Sequence, residues 1–327
     1  MFSVEELQKI VNAEMIDRSK ELLNHSPLNL YKPVEYSLGI RGKRLRPVLL
    51  LLGYNLFADD IEKALPAAMA IETFHNFTLL HDDIMDNAEV RRNQPTVHKK
   101  FDTNSAILSG DAMAFLSYRY LLECNTGNIS EILELFTKTA VEVCEGQQFD
   151  MDFENRTNVT ESEYLEMIRL KTAVLLACSI KSGALLANAA KKEADLLYEY
   201  GINLGLAFQL QDDLLDTFGN QEMFGKKIGG DILANKKTYL LVKALENSTG
   251  NVKKELLEWI HKKDFFPKEK IDAVKNIFTQ VNIKEITQQK INFYFQRSTD
   301  LLNHLNIDKK TKEPFYSLGN QMLNRKN

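Results

Sequence analysis

Helix breakers are scarce in this chain, whose 327 residues include only 15 glycines and 7 prolines. That scarcity argues against turn-rich all-β architectures and, with plentiful Leu, Ala, Glu and Lys, favours an all-α protein. Cysteine is scarce too. Cys124, Cys144 and Cys178 are odd in number and lack metal-ligand spacing, so buried free thiols in a reducing cytoplasm are expected. No apolar run approaches the roughly 20 residues needed to span a bilayer; the longest, from Pro47 to Leu52 and on to Phe57, falls well short. The opening residues Met1-Phe2-Ser3-Val4-Glu5-Glu6 lack the basic start and apolar core of a secretory signal. A large excess of one charge is also missing, and a net charge of −4 gives no bulk attraction to nucleic acid or anionic membrane. Basic groups must therefore act locally. Hydrophobic content of 44% is ample for a core.

Strand-like alternation persists nowhere, whereas apolar residues recur at helical spacing almost throughout. The pattern predicts helices near 4–24, 32–38, 43–57, 61–87, 95–98, 104–123, 129–154, 161–188, 192–219, 232–246, 250–261, 268–281, 283–304 and 310–325. Thr160 with Glu163 forms a capping box that starts one of them, which explains the Asn158-Val159-Thr160 triplet better than glycosylation does. Loops gather at 87–96, 155–160 and 219–231, and none resembles an interdomain linker. A single domain, 1–327, is expected.

The chemistry concentrates in a repeated acidic motif. Asp82-Asp83-Ile84-Met85-Asp86 returns as Asp212-Asp213-Leu214-Leu215-Asp216, 130 residues further on. Spacing of i, i+4 puts Asp82 and Asp86 on one helix face about 6 Å apart along the axis, and likewise Asp212 and Asp216. Like charges so placed cost a helix a few tenths of a kcal/mol unless cations sit among them. Carboxylate oxygens suit Mg²⁺, which commonly takes further oxygens from a phosphate-bearing ligand.

Residues around the motifs fit that reading. His75 projects about 20° from Asp82, two turns earlier. Phe74, Phe77, Thr78 and His81 form a neighbouring stripe, read either as core or as the floor of an apolar pocket. Gly201 and Gly205 share the Asp212 face, which calls for open space or for close helix packing. Gln209, one turn before Asp212, can hydrogen-bond a metal water or a phosphate. Basic residues punctuate the same regions: Lys43, Arg44 and Arg46; Arg91 and Arg92; Lys171 beside Thr172; Lys226 and Lys227; Lys236 and Lys237. With six carboxylates they suit a substrate pair carrying two diphosphates, one held by metals and one by side chains alone.

These residues resemble the trans-isoprenyl diphosphate synthases (polyprenyl synthetases) over nearly the whole chain. The resemblance rests on Gly42-Lys43-Arg44 with Arg46-Pro47, both Asp-rich motifs, Arg91-Arg92 with Pro95-Thr96-Val97-His98, Glu145-Gly146-Gln147, Lys171-Thr172, Phe208-Gln209 and Gly225-Lys226…Asp231…Lys236. It implies a single-domain helical bundle around a deep central cavity, the isoprenoid synthase fold, and a homodimer. It implies Asp82, Asp86 and Asp212 as ligands of Mg²⁺, three ions per site, supported by Asp83, Asp213 and Asp216. Lys43, Arg46, His75 and Arg92 would bind isopentenyl diphosphate. Arg91, Lys171, Thr172, Gln209, Lys226 and Lys236 would hold the allylic diphosphate, with Arg91, Lys171 and Lys226 among the catalytic groups. Asn235 departs from the family pattern, where glycine is common.

In that family the residues upstream of the first motif block the growing prenyl tail. One aromatic at Phe77 followed by Thr78, with Phe74 a turn below, resembles a geranylgeranyl (C20) synthase; a farnesyl (C15) synthase is the alternative. A non-catalytic regulatory subunit would lack one acidic motif or part of the basic set, and a class I terpene cyclase would carry a different second motif. Neither departure is present.

Overall fold

The computed structural model describes residues 2–219 and 228–323. It is all-α, with helices α1 (Val4–Glu21), α2 (Leu28–Gly39), α3 (Leu45–Asn55), α4 (Leu65–Met85), α5 (Val97–Lys100), α6 (Thr103–Leu122), α7 (Ile129–Glu154), α8 (Glu161–Ile168), α9 (Val174–Leu186), α10 (Lys191–Phe218), α11 (Gly230–Leu233), α12 (Tyr239–Asn247), α13 (Gly250–His261), α14 (Pro267–Gln280), α15 (Ile283–Asn303) and α16 (Lys309–Leu323). Contacts divide them into two compact units. The first comprises Met1–Thr137, Cys178–Tyr198 and Ile307–Phe315; the second comprises Lys138–Ala177, Glu199–Asn306 and Tyr316–Asn327.

Local chemistry sets the helix starts. Ser3 and Glu6 form a capping box at α1, and Thr160 and Glu163 form the expected one at α8. Such reciprocal bonds satisfy amide groups that the first helical turn leaves without partners. In the first unit α4 is the central element. Ala67 to Phe74 are buried continuously along it, and it packs mainly on α6 and α3.

Three departures from simple helical patterning matter for function. The predicted 161–188 helix contains a π turn at Arg169–Ala173, between α8 and α9. The predicted 232–246 helix is two helices, α11 and α12, separated by a turn in which Asn235 is left-handed (φ 52°). A two-stranded hairpin also escaped the periodicity: β1 (Val90–Arg91) pairs antiparallel with β2 (Gln94–Pro95). Its central residues Arg92 and Asn93 both have positive φ (52° and 61°), as tight primed turns require. Cysteine burial departs from expectation as well. Cys124 and Cys178 are buried, but Cys144 is exposed on α7.

Candidate active site

In the first unit, the loop before α3 is organised by a buried ion pair. Arg44 caps α3 in the left-handed conformation (φ 48°). Its guanidinium meets Glu72 Oε1 at 2.6 Å, the two side chains being only 3% and 2% exposed. The same guanidinium donates to the carbonyls of Leu38 and Ile40. Two residues on, Arg46 Nη1 lies 3.0 Å from His75 Nε2. Burial first, and then the charges of Arg46 and Arg92, hold the His75 imidazole well below its ordinary pKa. A neutral ring accepts from arginine through Nε2, which leaves its proton on Nδ1. His75 therefore orients Arg46 rather than adding a positive charge.

The hairpin delivers the next two arginines. Arg91 Nε donates to both Asp83 oxygens at 2.8 Å, and its Nη2 reaches Asp82 Oδ2 at 3.4 Å. Asp83 is buried. Burial raises its pKa while Arg91 opposes the rise, so Arg91 keeps the first acidic motif in place. Arg92 lies over Gly42, where a Cβ would fall 2.2 Å from its Nη1. That explains the glycine in the Gly42-Lys43-Arg44 triplet. Lys43 is exposed, as is Arg92. Asp86 is the C-terminal cap of α4.

Below Asp82 runs a row of aromatic contacts. Phe77 meets His81 at 4.9 Å and Phe74 at 5.4 Å between ring centroids, and Phe74 meets Phe136 at 5.1 Å. Phe74 is 3% exposed, so it is core and braces Phe77 from behind. Phe77 and Thr78 are half-buried. The Thr78 hydroxyl donates to the His75 carbonyl at 2.8 Å.

In the second unit, Asp213 is the buried hub. It accepts from the Tyr164 hydroxyl, from Gln209 Nε2 at 3.1 Å and from the Tyr239 amide at 3.4 Å. Burial, assisted by Asp231, pushes its carboxyl up to about 7. Gln209 in turn accepts from the Thr172 hydroxyl at 3.1 Å, which ties the π turn to α10. Asp216 Oδ2 accepts the Asp231 amide at 3.0 Å, at the start of α11. Asp212 is half-buried.

Asp150 is the residue that the sequence reading missed. Its Oδ2 receives Lys171 Nζ at 2.7 Å and lies 3.4 Å from Lys236 Nζ. Burial pushes this carboxyl up, yet the two ammonium groups outweigh burial and leave its pKa lowered. Asp150 sits one helical turn after Gly146, and that spacing was the available signal. A Cβ on Gly146 would fall 2.3 Å from the Lys171 backbone nitrogen, so α7 must approach the π turn without a side chain there. Gly201 and Gly205 serve close packing rather than open space. Their Cβ atoms would lie 2.5 Å and 2.6 Å from Ala177 Cα and Ala173 Cα.

The structure thus groups Arg46, His75, Arg91 and Arg92 around the first motif, and Lys171, Thr172, Gln209 and Lys236 around the second. Lys226 lies outside the described residues. Among the described residues, no three Asp, Glu, His or Cys side chains cluster tightly enough to hold a metal by themselves. Mg²⁺ is commonly bound by one or two carboxylates with substrate phosphates and water. The all-oxygen donor sets of the two motifs fit that mode.

The polyprenyl synthetase family model matches residues 27–281. This chain belongs to the polyprenyl synthetase family. It is 43% identical over 247 residues to a short chain isoprenyl diphosphate synthase of Methanocaldococcus jannaschii, spanning 75% of each chain. It is 39% identical over 276 residues to a geranylgeranyl diphosphate synthase of Saccharolobus solfataricus, spanning 83% of this chain and 82% of that one. A crystal structure of a geranylgeranyl pyrophosphate synthase superposes with a TM-score of 0.92 at 43% identity, covering 100% of both chains. Family membership makes the chain a prenyltransferase with the fold of the polyprenyl synthetases.

Proposed function

We propose that the chain condenses isopentenyl diphosphate with an allylic diphosphate, releasing diphosphate and forming all-trans geranylgeranyl diphosphate. The observation that carries this reading is that each Asp-rich motif has its own cationic set. Arg46, oriented by neutral His75, serves with Lys43 and Arg92 to hold isopentenyl diphosphate. Lys171 and Lys236, with Lys226 and the Gln209–Thr172 pair, hold the allylic diphosphate.

An allylic C–O bond ionises when the charge building on the departing diphosphate is met by fixed positive groups. Lys171 and Lys236, both on Asp150, supply that charge. Asp82, Asp86 and Asp212 would hold Mg²⁺, three ions per active site, with Asp83, Asp213 and Asp216 in support. When bound, the metal neutralises the leaving group. Arg91 fixes the Asp82–Asp83 pair and lends a further positive charge. Arg46 and Arg92 immobilise isopentenyl diphosphate so that its double bond meets the allylic carbon. Deprotonation then falls to the released diphosphate.

The test is product analysis by mass spectrometry, using the purified chain with isopentenyl diphosphate, an allylic primer and Mg²⁺. Chelation is expected to stop turnover, and added Mg²⁺ to restore it. Absence of any condensation product, or formation of a cyclised hydrocarbon, defeats the reading; a C15 product corrects only its length. In the same assay Phe77→Ala is expected to shift products beyond C20, because Phe77 is half-buried whereas Phe74 behind it is core. An unchanged profile removes Phe77 from the chain-length role.

We further assign the chain to the cytoplasm, as a single functional domain that works as a homodimer. No described helix is long and apolar enough to cross a membrane. Leu108, Phe115 and Leu122 are 60%, 76% and 66% exposed along α6 at heptad spacing, an apolar seam suited to a second copy. A monomeric mass in sedimentation would remove the dimer.

A further inference from the structure

The turn that delivers Lys236 is held from behind by a buried lysine. Lys270, on α14, is 1% exposed. Its Nζ donates to Asn235 Oδ1 at 2.7 Å and to the Leu233 carbonyl at 3.3 Å, and it lies 4.3 Å from the Phe265 ring centroid. Asn235 Nδ2 donates to the Ile260 carbonyl at 3.0 Å. One side chain thus ties the turn to both α13 and α14. Asn235 is left-handed, a conformation open to glycine and, among other residues, best tolerated by asparagine and aspartate. The next residue is Lys236, 3.4 Å from Asp150, and Tyr239 follows with its amide on Asp213.

We propose that Lys270 and Asn235 are positioning residues for the allylic diphosphate, their contact fixing the left-handed turn that places Lys236 beside Asp150. A charged donor buried on neutral oxygens is costly to desolvate, and the turn it holds carries a diphosphate ligand. Asparagine here supplies an acceptor that glycine, which adopts the same backbone, would not. This inference rests on the allylic role given above to Lys236.

The test measures KM for each substrate, kcat and thermal stability in Lys270→Met, Asn235→Gly, their double variant and Lys236→Ala. Asn235→Gly keeps the left-handed backbone unstrained and deletes the two side-chain bonds, to Lys270 and to the Ile260 carbonyl. Expected are rises in allylic KM of about five- to tenfold in each of the first two, less than a full hydrogen bond to a charged group because the loss reaches the diphosphate only through Lys236. KM for isopentenyl diphosphate stays unchanged. The rise in the double variant falls clearly short of the two singles combined, because the Lys270–Asn235 bond is counted in both. Unchanged allylic KM in Asn235→Gly, or an equal rise in both KM values, overturns the proposal. Normal kinetics in Lys236→Ala overturn the reading of Lys236 itself. Should Lys270→Met fail to fold, Asn235→Gly decides alone.

Discussion

Lys171→Ala is expected to lower kcat about 10²- to 10³-fold, the usual consequence of deleting one group that stabilises developing charge. The side chain leaves a π turn, is 25% exposed, and is held by Asp150 at 2.7 Å. That turn shifts the helical register, which is a frequent feature of functional sites. Stability should fall less than for a fully buried pair, because Lys236 still reaches the Asp150 carboxylate when Lys171 is removed. Lys171→Arg should recover only part of the activity, since a planar fork does not reproduce a compact ammonium. Asp150→Asn keeps Lys171 but removes the charge that orients it, so a smaller loss is expected. Steady-state turnover at saturating substrates, alongside a thermal melt, checks these values. Near-normal turnover in a folded Lys171→Ala protein would refute the role.

Much of this was legible in the chain because period and spacing are local properties. The α1 and α8 starts, the burial of α4 and the register of both Asp-rich motifs need only neighbouring residues. The parts that were not legible depend on distant partners. Val90 to Pro95 carries too few residues for an alternating pattern, and its turn shows only in backbone angles at Arg92 and Asn93. Asp150 looks like one more charge on a long helix until Lys171 and Lys236 reach it from elsewhere in the chain. The glycines at 201 and 205 could mean space or contact, and the approach of Ala177 and Ala173 decided for contact. His75 shows the same limit in electrostatics. The sequence places an imidazole on the Asp82 face, and the family resemblance groups it with arginines, but burial and those arginines hold its pKa down and make it a neutral acceptor.

Arg44→Ala is expected to destabilise the fold by about 3–5 kcal/mol, because it strands the Glu72 carboxylate in the core. With side chains only 3% and 2% exposed, neither partner has water to replace the other. The Asn76 amide at 3.1 Å from Glu72 Oε1 is too weak a donor to compensate for a lost guanidinium. The loss should also reach the site. Arg44 holds the Leu38 and Ile40 carbonyls and stands between Lys43 and Arg46, so KM for isopentenyl diphosphate should rise while the allylic KM holds. Replacing both partners, as in Arg44→Met with Glu72→Leu, should recover most of the stability, because an apolar pair of similar volume avoids desolvating two charges. It should not restore the isopentenyl diphosphate KM, since methionine cannot bind the loop carbonyls. Denaturant unfolding and the two KM values separate these effects. An Arg44→Ala protein within about 1 kcal/mol of the parent would reduce the pair to the weight of a surface contact.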